Sequence, residues 1–348
     1  MKPKPCVVAV SGVKNSGKTR LITQLVTELT ARGLRVAVIK HDGHRFEADR
    51  PGTDSHAYFA AGAVGTAVFD GEKFQLIRRT QVDENALLAQ FPDADLILLE
   101  GFKHSRWPKL ELFRSGVSEG AVCHSSTRLA FVTDAAPPEP GFPVFSPEKP
   151  ASAAAYLADF ARLGQSYSAI LLAGSKNSRM DRSKAELPFD GERIIDHQIE
   201  RLSMLGIDDV IISDDTGVIS GRRTVPDKIP HRGALGRLAS ALQAAANEKC
   251  LVLSVDALLV PPAVLFALMR QHRGGITVVE HGGQIEPLIG VYDRALFSVC
   301  EELLASGQDS LKCLFGAAPF SSLHCETEAL LFSSCCINEE YRCRSFVV

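Results

Sequence analysis

The residues from Gly12 to Thr19 (GVKNSGKT) have the types and spacing needed to bind a nucleoside triphosphate. They match the pattern G-x-x-x-x-G-K-[ST] at every fixed position. In such a loop the backbone N–H groups surround the phosphates, the lysine reaches the β- and γ-phosphates, and the Ser/Thr hydroxyl binds Mg²⁺. The pattern therefore predicts that Thr19 is a metal ligand and predicts a nucleotide-binding set: Gly12, Asn15, Ser16, Gly17, Lys18 and Thr19.

The segments on either side of this loop should place it between a strand and a helix. An apolar run, Cys6–Val10, precedes the loop, and a helix-like stretch, Lys18–Arg32, follows it. This is the strand, loop, helix context that the motif requires, and the helix amino terminus adds its positive pole to the site. The alternative, a Gly/Ser/Lys turn without a ligand, is disfavoured by these flanks.

Two other segments of the first half carry polar residues where predicted strands end. Glu100 ends the apolar strand Asp95–Leu99, and Lys40 to His44 follow the second strand. Ligands bind at strand carboxyl ends in α/β sheets. We therefore expect Glu100 to hold Mg²⁺ through water or to orient an attacking water. The alternatives are a helix-capping or surface carboxylate at Glu100 and an ordinary polar loop at His41 and His44.

Composition narrows the class of protein. At 348 residues the chain is long enough for about two domains. A net charge of −3 provides no basic surface for nucleic acid, and no apolar run reaches about 18 residues, so neither a nucleic-acid partner nor a membrane span is expected. Nine cysteines, an odd number with wide spacing, indicate reduced thiols in the cytoplasm. Cys335, Cys336 and Cys343 are either a metal site or buried and tail thiols.

Both halves of the chain read as α/β domains. Strands alternate with helices in the first half, which indicates a mostly parallel sheet, and Thr66–Phe69 and Phe74–Arg78 are counted among its strands. A second alternating series starts at Ala169 after a short predicted linker, Gly164–Ser168. The predicted domains are therefore residues 1–164 and 165–348.

The second half has its own candidate phosphate loop. The segment Leu171–Lys184 follows a strand, and its small residues would let backbone amides approach phosphates. Arg179 and Lys184 would supply positive charge for an in-line attack at an α-phosphate. A basic surface loop is the alternative.

One carboxylate interrupts a later apolar strand. Asp256 lies within LVLSVDALLV, where a carboxylate is costly unless a cation or hydrogen-bond donors meet it. The alternative is a strand-end carboxylate that caps the next helix.

The first half resembles a known family. GVKNSGKT, VIKHDGH, DRPGTDSHAYFAAGA and DLILLEGFKH, in this order, resemble the GTP-binding accessory proteins of molybdopterin guanine dinucleotide synthesis (MobB-type), over roughly residues 5 to 163. The resemblance implies a P-loop NTPase fold, GTP binding, weak hydrolysis at best and an adaptor role. Asp54 and Ser55 either line the site or cap the following helix.

The second half resembles the molybdenum cofactor guanylyltransferases (MobA-type), a group of Rossmann-like, glycosyltransferase-A-like nucleotidyltransferases. The resemblance covers about residues 168 to 342 and rests on LLAGSKNSRMDRSK, VPDKIPHRGALGRLASAL, LVLSVDALLVPP and EPLIGVY. It implies that Leu172, Ala173 and Gly174 contact the nucleotide and that Lys184 binds its phosphates. It also implies that Asp227 lies at the nucleotide and that Asp256 holds Mg²⁺.

Several positions depart from the family pattern. Glycines of the pattern are replaced by Ser175, Asp181 and Arg237. Other substitutions are Ala234 and Leu258 for prolines, Val255 for a cysteine, Ser213 for a frequent asparagine, and Cys336-x-Asn338 for an N-x-N pair.

These observations predict a fused enzyme of molybdenum cofactor biosynthesis. It would transfer GMP from Mg²⁺·GTP to molybdenum-bound molybdopterin, with Lys184, Asp256 and Arg179 as catalytic residues and Thr19, Glu100 and Asp256 as metal ligands. A molybdoenzyme or chaperone would receive the product, and the chain could form a homodimer. Two alternatives stay open: a non-catalytic protein that binds and delivers GTP or cofactor through a degenerate transferase domain, and a cytidylyltransferase acting on the same pterin.

Overall fold

The computed structural model describes residues 4–42, 49–173, 184–214, 219, 223–226 and 232–326. The first half contains one parallel sheet, a separate hairpin and four α-helices within that described part. Its strands are β1 Cys6–Ser11, β2 Val36–Lys40, β3 Gly65–Phe69, β4 Phe74–Arg78, β5 Leu96–Glu100, β6 Lys109–Phe113, β7 Arg128–Thr133 and β8 Val144–Phe145. Its helices are α1 Lys18–Ala31, α2 Asp54–Ala60, α3 Glu84–Leu88 and α4 Pro150–Leu163.

The first sheet brings the phosphate loop and Glu100 to one edge. Its strand order is β2-β5-β1-β6-β7-β8, and all of its pairs are parallel. β1 and β5 are neighbours, with Val10 opposite Glu100. Both strands are buried along their whole length, which explains their continuous apolar sequences. The predicted α/β class with a mostly parallel sheet is confirmed.

β3 and β4 form strands as predicted but pair only with each other among the described residues. Their antiparallel hairpin stands outside the main sheet, and apolar side chains such as Phe69 and Phe74 are exposed on it. The two strands were predicted correctly, but a local segment of sequence carries no information about the partner strand.

The second half contains a larger sheet. Its strands are β9 Tyr167–Leu172, β10 Pro188–Phe189, β11 Glu192–Arg193, β12 Asp209–Ser213, β13 Thr224–Val225, β14 Lys249–Ser254, β15 Ile276–His281, β16 Gln284–Asp293 and β17 Phe320–His324. Its helices are α5 Ile194–Met204, α6 Gly233–Ala244, α7 Pro262–Gln271, α8 Leu296–Ala305 and α9 Leu314–Ala317.

The order of the large sheet is β13-β12-β9-β14-β16-β15-β17. β13, β12, β9 and β14 run parallel, whereas β16 is antiparallel to both of its neighbours. The parallel part places the end of β9, where Leu172 lies, beside the end of β14, where Ser254 lies. The two segments that carry the predicted transferase residues therefore meet at one sheet edge.

The connection between the halves is tightly packed. A short 3₁₀ turn, Gly164–Ser166, leads directly into β9, so the segment predicted as a linker is partly the start of a buried strand. A Cβ atom on Gly164 would lie 1.9 Å from the carbonyl oxygen of Leu205, which only glycine can avoid. The division into residues 1–164 and 165–348 stays a prediction.

One apolar core extends across both halves. Phe266 of α7 packs against Tyr156 and Phe160 of α4, with ring centroids 5.0 and 5.1 Å apart. All three side chains are buried. The two sheets are therefore joined by a contact with the character of a protein interior.

Candidate functional site

The phosphate loop has the backbone that its motif predicts. Gly12, Asn15 and Gly17 have φ angles of 149°, 61° and 96°. A Cβ atom on Gly12 would lie 2.6 Å from the carbonyl oxygen of Leu112, so both conformation and space require glycine there. The Ser16 hydroxyl donates to the carbonyl oxygen of Val13 at 2.9 Å and closes the turn.

Lys18 lies folded over this loop. Its Nζ atom donates to the carbonyl oxygens of Val13 at 2.7 Å and Gly12 at 3.3 Å. Partial burial lowers the pKa of Lys18, the nearby Glu100 opposes that effect, and Lys40 and Lys103 lower the pKa further. The mutual repulsion of three lysines marks a place that favours a polyanion.

Thr19 and Glu100 meet at the end of β5. The Thr19 hydroxyl donates to Glu100 Oε1 at 2.8 Å, and Lys40 Nζ lies 3.4 Å from the same oxygen. A hydroxyl and a carboxylate are hard oxygen donors, the class that Mg²⁺ prefers, and phosphate and water would complete its shell. The donor set therefore fits Mg²⁺.

The structure gives less support to the other predictions in the first half. His41 contacts Phe102 edge-on, with ring centroids 5.6 Å apart, and His44 lies outside the described residues. Asp54 and Ser55 form the first turn of α2, but Thr53 caps that helix by accepting from the N–H of His56. The capping role belongs to the residue just before them.

The second candidate site begins at the end of β9. Leu172 accepts from the N–H of Val255, and Ala173 donates its N–H to the carbonyl oxygen of Ser213. The side chains of Leu172 and Ala173 are both buried. Any contact that these residues make with a nucleotide would therefore come from their backbone atoms. Three further predicted residues lie outside the described residues: Gly174, Arg179 and Asp227.

Lys184 and Asp256 lie together at this edge. Lys184 Nζ donates to Asp256 Oδ2 at 2.8 Å, and the Ser254 hydroxyl donates to Asp256 Oδ1. The Asp256 side chain is only 5% exposed. The cation and donors that its burial requires are therefore present, and the capping alternative is not needed to explain it.

The Asp256 carboxylate also fits a magnesium ion, with phosphate oxygens of a nucleotide as further ligands. Within the described part of the chain no group of three or more His, Cys, Asp or Glu side chains could hold a metal by itself.

Sequence reasoning missed two residues of α5 that touch the Asp256 segment. Gln198 Nε2 donates to the carbonyl oxygen of Val255, and Arg201 Nη1 donates to that of Ala257. Gln198 and Arg201 lie three positions apart on a helix with an ordinary amphipathic pattern, so no local signal in the sequence distinguishes them.

The two candidate sites lie in segments that match two different family models. The model of molybdopterin guanine dinucleotide synthesis protein B (MobB) matches residues 7–134, and that of the MobA-like NTP transferase domain matches residues 169–321. A probable molybdenum cofactor guanylyltransferase of Carboxydothermus hydrogenoformans is 31% identical over 142 residues, 40% of this chain and 72% of that protein. The chain belongs to the molybdenum cofactor guanylyltransferase family.

The first half of the chain is similar to MobB adapter proteins. The molybdopterin-guanine dinucleotide biosynthesis adapter protein of Escherichia coli is 39% identical over 117 residues, 32% of this chain, and the chain spans 66% of the adapter's length. The crystal structure of Bacillus subtilis MobB is 29% identical and covers 44% of this chain and 96% of its own, with a TM-score of 0.38.

The candidate residues of both sites lie inside the ranges that the family models match. The Lys184–Asp256 pair lies inside the matched range 169–321, and Thr19 and Glu100 lie inside the MobB range. Each half therefore holds one candidate nucleotide site, and both sites are at the carboxyl edge of a parallel sheet segment.

Within the described residues no helix is long and apolar enough to cross a lipid bilayer.

Proposed function

We propose that this chain is a molybdenum cofactor guanylyltransferase with a fused GTP-binding adaptor domain. The second half would transfer GMP from Mg²⁺·GTP to the terminal phosphate of molybdenum-bound molybdopterin and release pyrophosphate. The observation that carries the proposal is the pairing of Lys184 with the buried Asp256, inside a domain whose relatives are named for guanylyl transfer.

The reaction requires one bond to form and one to break. A phosphate oxygen of the pterin attacks the α-phosphorus of GTP, and the bond from that phosphorus to the bridging oxygen of the β-phosphate breaks. A phosphate oxygen is already an adequate nucleophile, so no covalent enzyme intermediate is needed.

The chain's own residues would bind and orient the reactants. Lys184 supplies a positive charge at the sheet edge, where it can stabilise charge that develops on the triphosphate. Arg179 is proposed to add a second positive charge, and Leu172, Ala173, Gly174 and Asp227 to contact the nucleotide. A Mg²⁺ ion held by Asp256 would supply charge neutralisation of the triphosphate.

The first half is proposed to bind GTP as an adaptor. Lys18 would bind the β- and γ-phosphates, and Thr19 with Glu100 would hold Mg²⁺. The relatives of this half are named as adapter proteins, which supports a role beside the transferase. A cytoplasmic location, homodimer formation and delivery to a molybdoenzyme or chaperone are parts of the same proposal.

The direct test is an assay of the purified full chain. With GTP, Mg²⁺ and molybdenum-bound molybdopterin, mass spectrometry should detect the guanine dinucleotide and release of pyrophosphate. Asp256→Asn should abolish the product, whereas Glu301→Gln, which changes an exposed carboxylate on α8, should leave it unchanged. An active Asp256→Asn enzyme would refute the metal assignment.

The same assay separates the alternatives. The names of the relatives favour guanylyl transfer over a non-catalytic delivery protein and over cytidylyl transfer. A wild-type chain that binds GTP without turnover would be a delivery protein. A competition between GTP and CTP that CTP wins would identify a cytidylyltransferase.

A further inference from the structure

Helix α5 holds the main chain on both sides of Asp256. Gln198 Nε2 donates to the carbonyl oxygen of Val255 at 3.1 Å, and Arg201 Nη1 donates to that of Ala257, also at 3.1 Å. Arg201 Nη1 also donates to the Gln198 side-chain oxygen at 2.8 Å, which couples the two side chains. A carboxylate whose flanking carbonyls are both held has little freedom to turn, so the orientation of Asp256 depends on where α5 lies.

The same helix is held by a residue of the first half. Arg106 Nη1 lies 2.6 Å from Glu200 Oε2 and also donates to Glu192 Oε1. Glu200 lies on α5, two residues after Gln198 and directly before Arg201. Glu192 lies on β11, just before that helix. One guanidinium therefore ties the start and the middle of the helix region together.

Arg106 is itself fixed in its loop. Lys109, whose side chain is fully buried, donates to the carbonyl oxygens of Ser105 and Trp107, the two neighbours of Arg106. This loop follows Glu100, the last residue of β5, which accepts from the Thr19 hydroxyl. The covalent chain from Glu100 to Arg106, and the contacts of Arg106 with Glu192 and Glu200, thus link the phosphate loop to helix α5.

We propose that Arg106 of the adaptor domain is a positioning residue for Asp256 and acts through α5. The inference rests on the proposed function, because it names what the fused adaptor contributes to the transferase site. A residue that only docks the two halves would affect every contact between them alike, whereas a positioning residue affects the Asp256 segment selectively.

The chain offers a matched control at the junction between the halves. Arg270 of α7 lies 3.3 Å from Asp159 of α4, and this ion pair also joins the two halves. Asp159 thus pairs with α7 and not with α5. Asp159→Ala therefore removes an ion pair between the halves without removing one that holds the helix.

The first experiment needs no catalytic activity. Hydrogen–deuterium exchange of a peptide spanning residues 254–260 is compared among wild type, Arg106→Ala and Asp159→Ala, each as the full chain. In Arg106→Ala we expect exchange in this peptide to rise about three- to tenfold, while Asp159→Ala stays at the wild-type rate. Unchanged exchange in Arg106→Ala, or an equal rise in Asp159→Ala, would overturn the proposal.

The second experiment measures transfer against Mg²⁺ concentration. Arg106→Ala should lower kcat and raise the Mg²⁺ concentration for half-maximal rate, each about three- to tenfold. Arg106→Lys should fall between wild type and Arg106→Ala, because lysine keeps the charge but loses the planar fork. A normal Mg²⁺ dependence in Arg106→Ala would contradict the positioning role. If exchange rises as expected but wild type transfers no GMP, the positioning contact stands and the proposed function fails.

Discussion

Lys184 Nζ lies 2.8 Å from Asp256 Oδ2, although 72 residues separate the two along the chain. The contact forms because β9 and β14 are parallel neighbours, so the segments after both strands reach the same edge of the sheet. In this arrangement the ammonium group and a metal ion would compete for one carboxylate. A nucleotide that drew Lys184 toward its phosphates would free that carboxylate for Mg²⁺.

This competition leads to a prediction for Lys184→Ala. Removal of the ammonium group should lower kcat for GMP transfer about 10²- to 10³-fold, because charge on the triphosphate is no longer stabilised. The same change should lower the Mg²⁺ concentration needed for half-maximal rate, because a competing cation is gone. Steady-state kinetics against Mg²⁺ would measure both effects.

The matched control is Lys312→Ala, which removes an exposed lysine of the second half. Its kinetics should equal those of wild type. A Lys184→Ala enzyme that needs more Mg²⁺ than wild type would contradict the competition.

The contact between Thr19 and Glu100 makes a separate prediction for the adaptor domain. Thr19→Val keeps the shape of the side chain but removes the hydroxyl that donates to Glu100 Oε1. We expect GTP binding at the first site to weaken about tenfold in the presence of Mg²⁺, because one metal ligand is lost. Without Mg²⁺ the variant and wild type should bind alike.

Titration calorimetry would count the sites as well as measure their affinities. Wild type should bind two GTP molecules per chain, and Thr19→Val should lose affinity at one of them only. Thr23→Val is the control, since Thr23 lies one turn further along α1 and its hydroxyl only donates to a main-chain carbonyl. Equal weakening in both variants would argue against a metal role for Thr19.

Local patterns specify more of the first candidate site than of the second. The phosphate loop is one continuous motif, so residues 12–19 specify both the turn and its charges. Asp256 was identified because burial of a carboxylate in an apolar strand demands a partner, and Lys184 was identified separately through its loop. Their contact follows from strand order, which neither segment encodes by itself.

The α5 contacts illustrate what a single sequence cannot provide. Gln198 and Arg201 reach main-chain carbonyls of residues more than 50 positions away, at separations of 57 and 56 residues. Carbonyl groups are common to all residue types, so a side chain that binds one leaves no signal at the partner position. Arg106 is similar, because an arginine in a polar loop is normally a solvated charge.

Buried His197 provides a prediction about pH. Burial, and then the charges of Arg201 and Arg106, lower the pKa of His197 from 6.5 to about 3. Glu192 lies 3.1 Å from His197 Nδ1, but its carboxylate is already shared with Arg106, so it gives the imidazolium little support. Folding therefore favours the neutral imidazole.

The sign of the effect follows from proton counting. Between about pH 6.5 and about pH 3 the unfolded chain binds a proton at His197 and the folded chain does not, so the free energy of unfolding falls as the pH falls. One such proton contributes about 1.4 kcal/mol for each pH unit in that window and nothing at higher pH.

Urea unfolding near pH 7 and near pH 5 would measure this contribution. His197→Gln keeps a hydrogen-bonding side chain but cannot take up the proton, so its loss of stability between the two pH values should be smaller than that of wild type. The control is His324→Gln, at an exposed position, which should match wild type. Identical pH dependence in wild type and His197→Gln would show that His197 titrates normally in the folded chain.

The shared apolar core predicts how the two halves unfold. Phe266 is fully buried and contacts Tyr156 and Phe160, two residues that belong to the other half. Because these contacts resemble a protein interior, we expect the wild-type chain to unfold in one thermal transition. Phe266→Ala removes the ring that links the two helices, so it should cost about 3–5 kcal/mol and separate the unfolding into two transitions.

Leu238→Ala is the control for this last effect. Leu238 is also fully buried, but it belongs to a cluster formed only by residues of the second half. Its truncation should lower stability by about 2–5 kcal/mol, and the two halves should still melt together. Differential scanning calorimetry distinguishes the two results directly. Two transitions in wild type, or a single transition in Phe266→Ala, would mean that the α4–α7 contact does not couple the halves, and the adaptor would then have to act on Asp256 through Arg106 without the support of a shared core.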